Sequence, residues 1–337
     1  MHAGCSCRRG VEGLRGQTVR IDDDHLKPRI LMSPFGNVAF SDWPSVGPAP
    51  VAESAALAEI VSLAGHPQSE EAVLTRNGRG ALALALEALA IGPADEVVIH
   101  TTSGGPYISR CVTETIERYG SWARNLSART KAIVLIHEFG FPAKLPDEFV
   151  QSELPVINDC AYALGVANAV QATRKDIRDY TIFSFSKAFP VPYGGALVGK
   201  AGSGVRSTLS PEKSQLLLGL LLERYLPSLA EAHRKRKQVW AWYQAAFSKH
   251  DISPRLLSDL ADAVPHAFLA NIDDEASLIP VREEMNRQFI ESSVYFGRRA
   301  YFFPCHQSMG FHSVSYVVDT FIDALERCGS GTSVRRS

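Results

Sequence analysis

Between Val73 and Gly199 short apolar runs alternate with helical stretches, and most of the runs end on a polar cluster. Glu96–Ile99, Ala132–Ile136, Pro155–Ile157, Tyr180–Phe185 and Gly195–Val198 read as strands. Helices are predicted over Ala81–Ala90, Tyr107–Tyr119 and Pro146–Gln151. Runs that are apolar throughout suit strands buried on both faces, so the expected class is α/β, with a mostly parallel sheet covered by helices. Ligands on such sheets bind beyond the carboxyl ends of the strands. Those ends carry His100–Ser103, His137-Glu138, Asn158-Asp159 and Ser184–Lys187.

The rhythm changes after Gly199. A long helix is predicted over Glu212–Phe247, kinked at Pro227, then shorter α and β pieces and a final helix at Ser313–Arg327. This divides the chain into a large ligand-binding domain at 29–210 and a long helix with a smaller C-terminal α/β domain at 211–330. Residues 1–28 form an N-terminal segment without an assigned role, and 331–337 a tail.

The 35 Lys and Arg against 36 Asp and Glu leave a net charge of −1, which gives no global attraction to nucleic acid or to an anionic membrane. No run approaches the ~20 apolar residues that span a bilayer. The six cysteines lack paired CxxC spacing, Cys5 and Cys7 form only a C-x-C, and Arg8-Arg9 precede no apolar core of a signal peptide. A cytoplasmic protein without a metal centre, nucleic-acid partner or membrane partner is expected.

Three local patterns bear on chemistry. In Phe183-Ser184-Phe185-Ser186-Lys187 a lysine directly follows a buried strand. It either snorkels from the strand end or is a Schiff-base lysine, its amine kept nucleophilic by a desolvated, cation-rich site, with Ser184 and Ser186 offering hydroxyls to a phosphate. Asp159, at the end of an apolar run, either caps the next helix or pairs with the protonated ring nitrogen of pyridoxal phosphate (PLP). Asn77-Gly78-Arg79-Gly80 opens the Ala/Leu helix, where glycines and unpaired N–H groups suit an anion. In this order the three make a phosphate cup, a ring-nitrogen carboxylate and a lysine.

The segments Thr75–Glu96, Lys131–Gly140, Leu154–Gly165, Tyr180–Gly199 and, more loosely, Phe303–Met309 resemble the DegT/DnrJ-type sugar aminotransferases, a group of fold-type I PLP-dependent enzymes. The resemblance implies a catalytic Lys187 bound to PLP as a Schiff base and a catalytic Asp159 on the pyridine nitrogen. It implies a phosphate held by Ser184 and the Gly78-Arg79-Gly80 turn, with Ser186 and Tyr162 also toward the cofactor. It further implies a homodimer with its sites at the interface. Tyr162 stands where the family has Gln or His, and the ring-stacking aromatic after the Glu-Val strand is missing, with Tyr107 a candidate replacement. The lysine motif is Ser-Phe-Ser-Lys, and Lys200–Ser214 lacks the family's Asn-x-Arg stretch. Tyr107, His137 and His306 are candidates for the substrate side, each histidine being equally well a structural one. Arg79 is a candidate for an anionic substrate group. The run His233–Lys237 is either a solvated helix face or a phosphate contact.

The expected activity is transfer of an amino group from a glutamate-like donor to a keto-sugar or small keto metabolite. The alternatives are a PLP-dependent lyase, dehydratase or carbon–carbon bond-forming enzyme, and a non-catalytic homologue acting as a binding subunit.

Overall fold

The computed structural model describes residues 30–34, 52–65, 71–166, 169, 179–200, 212–255, 262–273 and 278–328. The expectations for 1–28 and 331–337, including Cys5 and Cys7, lie outside these residues, as does most of Lys200–Ser214.

Seven strands form the large sheet: β1 (Glu71–Thr75), β2 (Glu96–Thr101), β3 (Ser121–Ala123), β4 (Thr130–Ile136), β5 (Val156–Asp159), β6 (Tyr180–Ser184) and β7 (Gly195–Gly199). Their order is β1-β7-β6-β5-β4-β2-β3, and every pairing from β6 through β3 is parallel. β7 alone runs the other way, antiparallel to both β6 and β1. The mostly parallel sheet is thus as expected. The central strands β5, β6 and β7 are buried at every position, which is why they read as unbroken apolar runs. β1 and β3 were not expected from the sequence. Both lie at sheet edges, β1 beginning on exposed Glu71 and β3 being three residues long, so neither has a full apolar period.

Helices cover both faces. On one, α1 (Ala52–Leu63) and α6 (Glu212–Tyr225) pack with Phe183, Phe185 and Val198. On the other, α2 (Gly78–Ala88) and α3 (Arg110–Ile116) pack against Val97, Val134, Ile157 and Leu197. The predicted helix at 107–119 is shorter than expected because Tyr107 instead packs edge-on against Tyr295, at 4.9 Å. Beyond β4 a short helix, α4 (Asp147–Gln151), leads into β5. A one-turn helix α5 (Phe185–Ala188) follows β6 and carries Lys187.

The long helix is broken at the anticipated proline. α6 ends at Tyr225, a 3-10 turn spans Leu226–Ser228, and α7 continues over Leu229–Phe247, since Pro227 has no N–H to donate to the ladder. Three antiparallel strands, β8 (Ala267–Asn271), β9 (Ser293–Tyr295) and β10 (Ala300–Pro304), form a second sheet in the order β8-β10-β9. It packs with α7, α8 (Leu278–Arg287) and α9 (Phe311–Cys328) around Trp240, Tyr243, Phe247 and Phe321. α9 turns Val314, Val317, Val318, Phe321 and Ala324 inward, the spacing of one helical stripe. The two sheets meet through Phe139 and Phe141 on one side and Leu269, Tyr295 and Phe302 on the other. Among the described residues no helix is long and apolar enough to cross a membrane.

Candidate active site

A cavity of about 1030 Å³ opens at the carboxyl ends of β2, β4, β5 and β6. Its position follows from register. Thr101 pairs with Ile136, Ile136 with Asp159, and Asp159 with Ile182, so these four stand in one row on one face of the sheet. All four line the cavity.

Asp159 lies in this row between two isoleucines, and its Oδ1 accepts the Ala161 N–H at 3.0 Å. Burial pushes its carboxyl up to about 6. One strand further on, Ser184, Ser186 and Lys187 reach the same cavity, so the structure brings the sequence-selected carboxylate and amine into one space.

The amine of Lys187 sits 4.9 Å from the Tyr162 ring centroid. The cation-rich surroundings expected for this lysine are not found. The groups acting on it are Tyr162, Glu291 and Cys111, and they hold the ammonium above its ordinary range against the opposing effect of burial.

The turn before α2 approaches from the other side of Ser184. A Cβ on Gly78 would sit 3.1 Å from the Ser184 Cβ, and one on Gly195 would sit 2.7 Å from the Asn77 carbonyl carbon. The small residues here let the helix start, β6 and β7 close up. Asn77 caps α2 by accepting the Gly80 N–H at 3.0 Å, and the Ala81 N–H bonds Asn77 O at 3.2 Å. Gly80 is therefore spent on the cap and does not line the cavity, correcting its expected role at the phosphate. The N–H groups of Gly78 and Arg79 have no intrahelical partner and stand at the positive end of the helix. Arg76 and Arg79, both exposed, line the same rim.

These donors fit a phosphorylated aromatic ring. The start of α2 lies against Ser184, and Ser186, the Asp159 carboxylate and the Lys187 amine line the same cavity. The cavity also holds an unspent polar atom, since Thr101 Oγ1 is buried without a hydrogen-bond partner.

The two substrate-side histidines differ, since His137 lines the cavity with both ring nitrogens already engaged and His306 does not line it. His137 follows Ile136, so alternation turns its side chain to the opposite face from Asp159, toward Asn158. Its Nδ1 accepts the Ala143 N–H at 2.8 Å, which leaves Nε2 to donate to Asn158 Oδ1 at 2.6 Å. Both ring nitrogens are used, and burial lowers its titration to about 4. His306 is 1% exposed and does not line the cavity. Its Nδ1 accepts the Ser308 N–H at 3.3 Å, and burial, with Arg236 nearby, depresses it to about 3. Tyr107 does line the cavity, edge-on to Tyr295.

Sequence reasoning missed several residues around this space. Glu138, the neighbour of His137, is 6% exposed and lines the cavity, accepting the Ser103 N–H and the Tyr295 O–H, each at 2.7 Å. Tyr295 also meets Ser103 Oγ at 2.9 Å, so a strand of the small sheet is tied to two strand ends of the large one. Arg236, in the basic run taken as a solvated face or phosphate contact, is 1% exposed. Its guanidinium donates to Lys187 O at 2.8 Å and to Cys305 O at 2.9 Å, bracing the segment that carries the lysine. Arg234 and Lys235 do form a surface face, both paired to Glu231. Met32 closes another side, its N–H bonded to Glu291 Oε2 at 2.8 Å. Spacing by helical turns separates Arg236 from its exposed neighbours, whereas no local pattern marks Tyr295 or Met32.

No protein-family model matches the chain. A UDP-N-acetyl-3-dehydro-alpha-D-glucosamine 3-aminotransferase of Acidithiobacillus ferrooxidans is 31% identical over 179 residues, which is 48% of this chain and 46% of that protein. The match therefore spans less than half the length of that relative. Among solved structures, a 3-amino-5-hydroxybenzoic acid synthase superposes with a TM-score of 0.64 at 15% identity, covering 85% of this chain and 99% of the other. A Streptococcus pneumoniae protein assigned as a sugar aminotransferase, in its PLP form, gives 0.63 at 16%, covering 90% and 98%. The chain resembles the DegT/DnrJ-type sugar aminotransferases and has their fold. In that fold-type I architecture the cavity described above lies at the carboxyl edge of the large sheet.

Proposed function

We propose that the protein is a PLP-dependent aminotransferase that moves an amino group from a glutamate-like amino acid to a keto-sugar or small keto metabolite. The observation carrying this is the convergence of Asp159 and Lys187, from the ends of neighbouring strands, on one cavity flanked by the open start of α2. The partial sequence match to a sugar 3-aminotransferase supports amino transfer over the other reactions of this fold.

When bound, PLP supplies an electron sink that stabilises carbanion character at the carbon next to a substrate nitrogen. The chain's own groups then divide the work. Lys187 would hold the cofactor through its amine and would serve as the base and acid that moves a proton at the substrate carbon. Asp159 would pair with the pyridine nitrogen and help to keep a proton on it. The N–H groups of Gly78 and Arg79 with Ser184 and Ser186 bind the phosphate. Tyr162 contacts Lys187, and Tyr107 lies toward the substrate side, the edge-on contact with Tyr295 fixing its ring. Arg79 and Arg76 suit an anionic group on the substrate.

The reading includes a second copy of the chain completing the site. It also includes a reducing, cytoplasmic setting, in keeping with Cys111, Cys160, Cys305 and Cys328 all being free thiols. The test is a half-reaction: purified protein is loaded with PLP and given excess glutamate. Conversion of the bound cofactor to its pyridoxamine form, with release of 2-oxoglutarate, is expected. Retention of the pyridoxal form with glutamate and with other amino donors would favour a lyase or binding role instead.

A further inference from the structure

The register row that places Asp159 on the cavity holds one other polar side chain, Thr101, the remaining members Ile136 and Ile182 being apolar. Thr101 is 1% exposed and lines the cavity, and its Oγ1 has no hydrogen-bond partner among the described residues. The polar groups of the turn after β2 are already engaged. The Thr101 carbonyl accepts the Gly104 N–H at 3.0 Å. The Thr102 hydroxyl donates to Phe141 O at 2.6 Å and accepts the Glu138 N–H at 3.0 Å. The Glu138 carboxylate takes the Ser103 N–H and the Tyr295 O–H. These bonds fix the turn and leave the Thr101 hydroxyl unspent. A ligand that fills the cavity must offer it an acceptor or leave it buried and unpaired, which costs free energy.

The covalent structure of PLP supplies such an acceptor on the right side. About the axis from the ring nitrogen to the opposite carbon, the phosphate arm lies on one side and the phenolic oxygen on the other. With Asp159 on the nitrogen, the phosphate partners Ser184 and the start of α2 lie on the β6 side of it. The phenolic oxygen then faces the β4–β2 side, where Ile136 has no polar side-chain atom and Thr101 stands next in the row. We propose that Thr101 is a cofactor-binding residue, its hydroxyl donating to the phenolic oxygen of PLP. This rests on the reading of the cavity as a PLP site. The bond would give the ring a third anchor beside Asp159 and the phosphate contacts, against rotation about the line joining those two.

The test is PLP affinity, measured by absorbance titration of the full-length wild type, Thr101→Val and Thr101→Ser. Valine keeps the shape and removes the hydroxyl, whereas serine retains it. Because Oγ1 is unpartnered in the protein itself, cofactor-free Thr101→Val should resist denaturant as well as wild type or better. PLP should bind Thr101→Val about tenfold more weakly, the scale of one hydrogen bond to a charged group, and Thr101→Ser within about twofold of wild type. The deoxy analogue of PLP, which lacks the phenolic oxygen, should bind wild type and Thr101→Val alike. Equal affinity of wild type and Thr101→Val for PLP overturns the proposal, and so does an equal loss of both ligands. A cofactor-free Thr101→Val protein that unfolds earlier or fails to fold also overturns it, since the hydroxyl would then serve the fold. A wild type that binds no PLP defeats the functional reading, whereas PLP binding indifferent to the hydroxyl defeats only the role of Thr101.

Discussion

The side of the cavity made by the large sheet and the side closed by the small one are assembled differently. Thr101, Ile136, Asp159 and Ile182 occupy one register row of consecutive strands, so backbone hydrogen bonding alone fixes their spacing. The opposite side draws Met32, Glu291 and Phe302 from distant parts of the chain and is held by side-chain bonds such as Tyr295 to Glu138. The first side carries the reactive groups on a rigid frame, and the second sets their surroundings. Changes on the first side should therefore strike chemistry, and changes on the second stability and substrate affinity.

The largest effect expected beyond the lysine itself comes from Asp159→Asn. In the role proposed for Asp159, loss of its charge is expected to lower kcat by about 10²–10³-fold, the scale of a single preorganised electrostatic contact. The same variant has a signature without cofactor. The folded carboxyl titrates at about 6, above the ~3.9 of an unfolded aspartate. Its contribution to stability is thus fully present below the unfolded value and is lost as pH rises through about 6. Denaturant melts of the cofactor-free wild type should lose on the order of 2–3 kcal/mol relative to Asp159→Asn across this window. Parallel curves would show that Asp159 is not desolvated as described.

Next in size is Arg236→Met. It strands the Lys187 and Cys305 carbonyls and should cost about 2–4 kcal/mol in a denaturant melt, while Arg234→Ala on the exposed face of the same helix stays within about 0.5 kcal/mol. Equal effects would erase the distinction between the two faces of α7. Smaller still is the tie between sheets. In a double-mutant cycle, Glu138→Gln and Tyr295→Phe should couple by about 1–2 kcal/mol, with a raised KM and a largely preserved kcat. Additivity would mean that the second sheet is not latched through this pair.

What could be read from the sequence follows the same division. β5, β6 and β7 are continuous apolar runs because they are buried on both faces, and the polar residues ending β5 and β6 pointed to the cavity directly. Which residue of each end enters the cavity depends on register, which a single sequence does not display. His137 and Glu138 both line it, but the His137 ring nitrogens are spent on Asn158 and the Ala143 N–H, while the Glu138 carboxylate ties Ser103 to Tyr295. Gly80 was lost to a capping bond with Asn77 that competes for the same N–H. Arg236 looked like its exposed neighbours because a run of five basic residues hides the one position that a helical turn carries inward. Tyr295 and Met32 matter only through contacts across the chain, and no local spacing reveals them.

The central claim is that Lys187 and Asp159 address a single PLP molecule, and it is tested most directly by borohydride reduction of the PLP-loaded protein followed by peptide mapping. A single pyridoxyl modification on Lys187, absent from Lys187→Ala, is the predicted result. A modification on another lysine that persists in that variant would contradict it.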